Sequence, residues 1–103
     1  MSARKRFRLT IRAAAAHDIE DILIHTGDQW GSGQRRRYRS DLRRGMRSLL
    51  DYPEIGPERF DLFQGCRSLV VKRHVIFYAA TDAEVIVLRV LHESQDPSGK
   101  VVP

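Results

Sequence analysis

The chain has 103 residues and a mass of 11.9 kDa, which fits one domain and excludes a second folded unit. Its net charge is +5 with a pI near 10.0, which favours an acidic partner. A single cysteine, Cys66, excludes a fold held by internal disulfides and is typical of a cytoplasmic protein. No apolar stretch is long enough for a membrane span or a signal peptide, so neither is expected.

The positive charge is concentrated in two short segments. Residues 1–12 carry five basic side chains and no acid, whereas residues 13–34 carry four acids and no Lys or Arg. Residues 35–47 carry seven arginines against one aspartate, a net charge of +6. The expected basic patch consists of Arg35, Arg36, Arg39 and Arg43. Such a patch binds a nucleic-acid backbone or an acidic protein surface, or it is the solvated face of a helix.

The first predicted elements are a strand and a helix. Phe7, Leu9 and Ile11 alternate with polar residues, the period of two that is typical of a half-buried strand. From Ala13 the apolar residues recur at helical spacing, with acidic side chains on the other side. The sequence Gly31-Ser32-Gly33 is expected to end this helix in a tight turn.

A second amphipathic helix follows the turn. Its apolar stripe consists of Tyr38, Leu42, Met46 and Leu49. Pro53 marks its end, and the short connection makes the two helices an antiparallel hairpin. Trp30, Tyr38 and Met46 are expected to pack in the core or between the helices. Gly45 is expected to allow a close approach to the sheet or to the first helix.

Three strands are predicted over residues 66–71, 74–79 and 85–91, which are rich in branched and aromatic side chains. A two-residue turn at Lys72-Arg73 would pair Val71 with His74, Leu69 with Ile76, and Arg67 with Tyr78. Arg67, His74 and Tyr78 would then share one face of the sheet.

The chain from about residue 93 is predicted to be a mobile tail without packing contacts, which could be deleted without loss of stability. The predicted fold class is α+β, with a strand, an antiparallel helical hairpin and a three-stranded antiparallel meander in that order.

Several short motifs, taken in their order and spacing, resemble the ParE toxins of the RelE/ParE superfamily of type II toxin-antitoxin modules. The motifs are residues 18–22; Thr26, Trp30, Gly31, Gln34 and Tyr38; Leu49, Leu50, Tyr52, Pro53 and Gly56; residues 65–67, 74–78 and 89–92; and Asp96. The chain departs from the family at the first helix, where Arg12-Ala13 stand in place of Ser-Pro. The usual N-cap oxygen is therefore missing, and Thr10 is the expected substitute.

This resemblance implies a RelE/ParE-like fold and a non-catalytic toxin that inhibits DNA gyrase. It also implies neutralisation by a ParD-like antitoxin within a hetero-oligomer. The expected partner-binding residues are Arg67, His74, Tyr78, Arg89, His92, Gln95 and Asp96. No cofactor and no sequence-specific nucleic-acid binding are expected. No metal site is expected either, because one cysteine and scattered histidines lack ligand spacing.

A ribosome-dependent mRNA interferase of the RelE type is the alternative function. Cleavage through a 2′-hydroxyl needs a base, an acid and cations near the phosphate. The candidate residues for this chemistry are His92, His74, Arg67 and Arg89. Against it, a histidine at a strand end more often makes a structural hydrogen bond, and an arginine in an apolar strand can be held in a salt bridge. A third possibility is a basic helical-hairpin adaptor without toxicity.

Overall fold

One long bent helix packs on a four-stranded sheet. The computed structural model of the chain describes residues 7–103. Its elements are strand β1 Arg8–Ile11, helix α1 Ala13–Asp51, and strands β2 Arg67–Val71, β3 His74–Ala80 and β4 Glu84–His92. The predicted α+β class and the order of strand, helices and meander are confirmed. Each of the three later strands begins and ends within one residue of its predicted bounds.

The predicted hairpin is formed by a kink within α1. Gly31 has φ 88° and ψ 171°, which lies outside helical geometry and in a region of φ that favours glycine. It separates a first arm, residues 13–30, from a second arm, residues 32–51. Arg35 of the second arm lies against Gly27 of the first, so the arms fold back on one another. One residue rather than three therefore makes the turn, and Ser32 and Gly33 already belong to the second arm.

The helix begins without a side-chain cap. The N-cap residue, Arg12, is extended, with φ −63° and ψ 155°, and its side chain makes no capping hydrogen bond. The expectation that Thr10 takes this role is wrong, because the Thr10 hydroxyl donates to Glu84 Oε2 at 2.6 Å. Thr10 therefore joins β1 to β4 instead of stabilising the helix terminus.

The sheet has the order β1-β4-β3-β2, with β1 parallel to β4 and the other pairs antiparallel. The turn at Lys72-Arg73 gives all three predicted pairs between β2 and β3, from Val71 opposite His74 to Arg67 opposite Tyr78. Lys72 occupies the left-handed region with φ 55°, as short hairpin turns require. A register shift beside Phe77 and Tyr78 bends the pairing of β3 with β4.

Both faces of the sheet are covered. The helical arms cover one face, where the largest fully buried side chains include Leu42, Leu49, Ile76 and Tyr78. Full burial of a side chain of this size contributes about 1.5 to 3 kcal/mol. A smaller cluster around Cys66, Phe77, Leu88 and Leu91 fills the other face, under the loop that precedes β2.

The C-terminal segment takes part in this second cluster. Val101 is 4% exposed and belongs to the same cluster as Cys66 and Leu91. The Val102 carbonyl accepts a hydrogen bond from Arg12 at 3.2 Å. The expectation that the tail makes no packing contacts is therefore wrong, because its last residues turn back over the sheet. Its mobility stays a prediction.

Candidate partner-binding cleft

Three aromatic side chains meet at one end of the sheet and form a histidine cluster, which comprises Tyr38, His74 and His92. His74 begins β3 and His92 ends β4, and the antiparallel register places them opposite each other. Their rings are in edge contact, with centroids 5.2 Å apart. Tyr38 of the second arm lies 5.3 Å from the His74 ring, and its hydroxyl forms a short hydrogen bond with His74 Nδ1. The cluster therefore joins the helix to the sheet.

Burial determines the protonation of His74 and Tyr38 in this cluster. Burial lowers the pKa of His74 to about 4, and the nearby His92 acts in the same direction. Burial also raises the pKa of Tyr38, so its hydroxyl keeps its proton at neutral pH. Neutral His74 then accepts the hydrogen bond from Tyr38 at Nδ1. His92 Nδ1 is hydrogen-bonded to Ser94 Oγ at 2.7 Å, which orients the second ring.

A cleft of about 1040 Å³ opens beside the histidine cluster, between the two helical arms and the β2–β3 turn. Its cations are Arg37, Lys72 and Arg73, and Trp30 at the hairpin tip is 74% exposed. The other lining residues outside the cluster are Asp21, Ile22, His25, Thr26, Gln34 and Asp41. An aromatic and apolar lining with a few charged groups is typical of a surface that binds another molecule.

The exposure of Trp30 contradicts one prediction. Trp30 is expected from its helical spacing to pack in the core or between the arms, and this is wrong. The kink at Gly31 leaves the indole at the tip of the hairpin, beyond the buried core. Tyr38 and Met46, at 9% and 8% exposure, belong to the core as predicted.

Several residues that line the cleft are not among the site residues predicted from the sequence. Asp21 and His25 are spaced i, i+4 on the first arm, and Arg37 and Asp41 have the same spacing on the second. Residues with this spacing lie on one helix face. These polar pairs beside an apolar stripe could have indicated cleft residues in the sequence. Only the position of the kink shows that the polar faces of the two arms line the same cleft.

Arg67 and Tyr78 lie farther along the same sheet face and hold the loop before β2. The register confirms that they share this face with His74. Tyr78 is fully buried; its hydroxyl donates to the Pro53 carbonyl at 2.8 Å and accepts from the Gly56 N–H at 3.0 Å. Arg67 donates to the Gly56 carbonyl at 2.7 Å. Neither residue lines the cleft, and their role in partner binding stays a prediction.

Arg89 is held in an ion pair outside the cleft. It donates to both carboxylate oxygens of Asp18, at 2.7 and 2.9 Å, and to the Lys100 carbonyl at 3.3 Å. Asp18 also accepts the Val90 N–H at 3.0 Å. This N–H lies on β4 beyond the part that pairs with β1. The Asp18 carboxylate therefore accepts hydrogen bonds from both the β4 backbone and the Arg89 guanidinium. This agrees with the alternative that an arginine in an apolar strand is held in a salt bridge.

The remaining predicted residues lie on the surface. Gln95 Oε1 accepts the His92 N–H at 2.9 Å, so it positions the residue that ends β4. Asp96 accepts the Ser98 N–H at 3.0 Å, and this hydrogen bond lowers the pKa of the Asp96 carboxyl. The basic patch, Arg35, Arg36, Arg39 and Arg43, is exposed on the second arm.

The described part of the chain offers no group of three or more His, Cys, Asp or Glu side chains that could hold a metal ion. Within residues 7–103, no helix combines the length and apolar composition that crossing a membrane requires.

Comparison with known proteins assigns the chain to a family. Residues 9–97 match the family described as the ParE toxin of the type II toxin-antitoxin system, parDE. The chain therefore belongs to the ParE toxins and is a toxin of the type II class.

Individual relatives agree with this assignment. The chain is 32% identical over 92 residues to Toxin ParE1 of Caulobacter vibrioides, covering 89% of this chain and 93% of that protein. It is 29% identical over 87 residues to Toxin ParE of Escherichia coli, with 84% of each covered. Its fold is similar to a chain of the chromosomal ParDE TA system from P. aeruginosa, with a TM-score of 0.73 and 19% identity, covering 84% of this chain and 96% of the other.

Proposed function

We propose that this ParE toxin inhibits DNA gyrase by binding to it, acts in the cytoplasm, and is neutralised by a ParD-like antitoxin within a hetero-oligomer. Membership of the ParE family supports the toxin and antitoxin parts of this proposal. The observation that supports binding over catalysis is that Arg67 and Arg89 are engaged elsewhere, away from the two candidate histidines.

Cleavage of RNA needs a base, an acid and cations around one phosphate. In this chain, Arg89 is paired with Asp18, and Arg67 is bound to the loop before β2. His74 has a pKa of about 4 and uses Nδ1 to bind Tyr38, so it is a weak base at neutral pH. The four residues that the nuclease hypothesis names therefore do not form one site, which favours a non-catalytic toxin.

One observation keeps the RelE-like mRNA interferase as a second candidate. Lys72 and Arg73 line the same cleft as His74 and His92. These four residues supply two imidazoles and two cations close together, and none of them depends on Arg67 or Arg89. The second candidate therefore needs a direct test.

Parallel assays with purified wild type and His92→Ala separate the two functions. We expect wild type to inhibit DNA supercoiling by gyrase, and the variant to inhibit fully at a higher concentration. Primer extension on ribosome-bound message should show no codon-specific cuts. Cuts by wild type that fall by about 10²- to 10⁴-fold in the variant, with the fold retained, would establish the interferase instead.

The antitoxin proposal assigns the cleft a partner of stated chemistry. The cleft has three cations, Arg37, Lys72 and Arg73, against the carboxylates Asp21 and Asp41, and it has the exposed Trp30. This excess of positive charge suits an acidic segment that also carries apolar side chains. Exposed tryptophans often dominate interface energies. Trp30→Ala should therefore weaken the complex with a co-expressed ParD-like antitoxin by about tenfold or more.

Phe60→Ala is the matched control for this experiment. Phe60 is also a large exposed aromatic residue, at 66% exposure, and it does not line the cleft. Calorimetric titration of both variants measures the effect. Equal affinities for wild type and Trp30→Ala would place the antitoxin elsewhere on the toxin.

A further inference from the structure

The second arm of α1 presents a regular row of arginines. The arginine row consists of Arg35, Arg39, Arg43 and Arg47, each four residues after the last, and all four are exposed. Successive members lie close together on a helix. The row extends over about 18 Å along the helix axis.

The arginines of this row have no salt-bridge partner within the part of the chain that the structure describes. The acids of this arm are Asp41, which lies 3.6 Å from Arg44 instead, and Asp51, which follows Arg47 by four residues. Like charges at i, i+4 destabilise a helix, so the row has an unfavourable electrostatic energy in the isolated chain that an anionic ligand would offset.

The composition of this surface favours phosphate over an acidic protein. Protein interfaces have a core of aromatic and apolar side chains that is poor in charge. The positions beside the row are Arg36, Ser40 and Arg44, which are exposed and polar. Arginine and serine are typical contacts of phosphate oxygens. The apolar stripe of the same arm faces the sheet, so it is not available to enter a membrane surface.

The same surface favours a duplex over a single strand, and DNA over RNA. Single strands bind where exposed aromatic side chains stack on bases, whereas Tyr38 of this arm is buried. The major groove of B-form DNA is wide enough to admit a helix, but that of an RNA duplex is too narrow. An 18 Å row, about the length of five phosphates on one DNA strand, can lie along the edge of this groove.

We propose that the arginine row of the second arm binds the phosphate backbone of duplex DNA without reading its sequence. This inference goes beyond the proposed inhibition of gyrase, since it concerns a different surface from the cleft. None of the four row residues lines the cleft. A toxin could therefore bind DNA and a protein partner at the same time.

The test is the salt dependence of binding to two unrelated DNA duplexes, measured by fluorescence anisotropy with the full chain. Four phosphate contacts predict a slope of about −3.6 for log K against log [salt], or roughly a 10²-fold loss of affinity between 50 and 200 mM. The variant with Arg35, Arg39, Arg43 and Arg47 changed to Gln should lose most of this slope. Glutamine is a good helix former, so circular dichroism should show the fold retained.

A second variant removes the same charge elsewhere, through Arg8→Gln, Lys72→Gln, Arg73→Gln and Lys100→Gln. It should keep most of the slope. The proposal is overturned if the row variant keeps the wild-type slope, or if both variants lose it equally. Tighter binding of one DNA sequence, or equal binding of duplex RNA, would also overturn it.

Discussion

His74 makes the stability of the toxin depend on pH. Its pKa is about 4 in the folded chain, because burial and then His92 disfavour its charged form. In the unfolded chain its pKa returns to about 6.5. Between these two values the unfolded state binds more protons than the folded state. The contribution of neutral His74 is therefore complete above pH 6.5 and is lost as the pH falls towards 4.

Urea unfolding at several pH values tests this contribution. We expect the free energy of unfolding of wild type to fall by about 1 to 2 kcal/mol between pH 7 and pH 4.5, a value reduced for the partial exposure of His74. His74→Gln cannot titrate and should lose this component. His17→Gln, at an exposed pair with Asp21, should keep it. Equal pH dependence in wild type and His74→Gln would contradict the prediction.

Single residues differ in how far sequence alone predicts their contacts. The cross-strand pair of Arg67 and Tyr78 follows from a turn of known length, and it is confirmed. Their hydrogen bonds to the loop before β2 do not follow, because that loop has no periodic pattern. For Arg89, the apolar strand shows that a partner is needed. It does not identify Asp18, which lies 71 positions earlier in the chain.

At the scale of one element, the second arm of α1 depends on a glycine that faces the sheet. A Cβ at Gly45 would lie 2.6 Å from Val71 Cγ2, closer than such atoms approach. Val71 is β-branched and has little rotamer freedom, so Gly45→Ala forces the helix away from the sheet. This confirms the expected close approach of Gly45 to the sheet.

Gly45→Ala and Gly33→Ala form a matched pair within the same arm. At Gly33 the nearest atom to an added Cβ is Arg36 Nη2, at 4.0 Å. Gly33→Ala should stabilise the protein by up to about 1 kcal/mol through helix propensity. Gly45→Ala should destabilise it by about 1 to 2 kcal/mol, because the clash outweighs that gain. Thermal unfolding measures both changes, and equal shifts would show that the contact with Val71 relaxes freely.

The hairpin shows what a helical pattern can and cannot define. The apolar periods on both sides of Gly31 predict two helices, and the kink separates two arms there. The pattern does not show that one residue at φ 88° is enough for the reversal, with helical geometry resuming at Ser32. That single-residue turn places Trp30 at the tip of the hairpin. Because the sequence does not predict this turn, it does not predict the cleft either.

At the scale of the whole molecule, contacts between neighbouring segments were predicted from the sequence, whereas contacts between distant segments were not. The meander of β2, β3 and β4 follows from short turns. The parallel pairing of β1 with β4 joins residues such as Leu9 and Val85 that no turn connects. The packing of the C-terminal segment against the sheet also joins residues that are far apart in sequence, such as Val101 and Cys66. Contacts between distant segments depend on the assembled core rather than on local pattern.

The C-terminal segment supplies the last prediction. Val101 is 4% exposed and packs with Cys66, Phe77, Leu88 and Leu91, while its neighbour Val102 is 55% exposed. Val101→Ser should cost about 2 kcal/mol, since it removes buried apolar surface and buries a hydroxyl. Val102→Ser should cost less than about 0.5 kcal/mol. Truncation after Asp96 removes both valines and should destabilise the protein at least as much as Val101→Ser.

Thermal unfolding measures these differences in stability, because a change of 1 kcal/mol in the free energy of unfolding shifts the Tm of a domain of this size by about 4 to 8 °C. Growth arrest on expression then separates a folding role from a binding role. If the tail acts through the core, Val101→Ser weakens toxicity at temperatures near its lowered Tm and recovers it on cooling, while Val102→Ser stays toxic. If the truncated chain has the same Tm as wild type, the cluster around Cys66 packs stably without Val101, and the prediction is wrong. If that stable chain has also lost toxicity, the C-terminal segment belongs to the surface that binds the target.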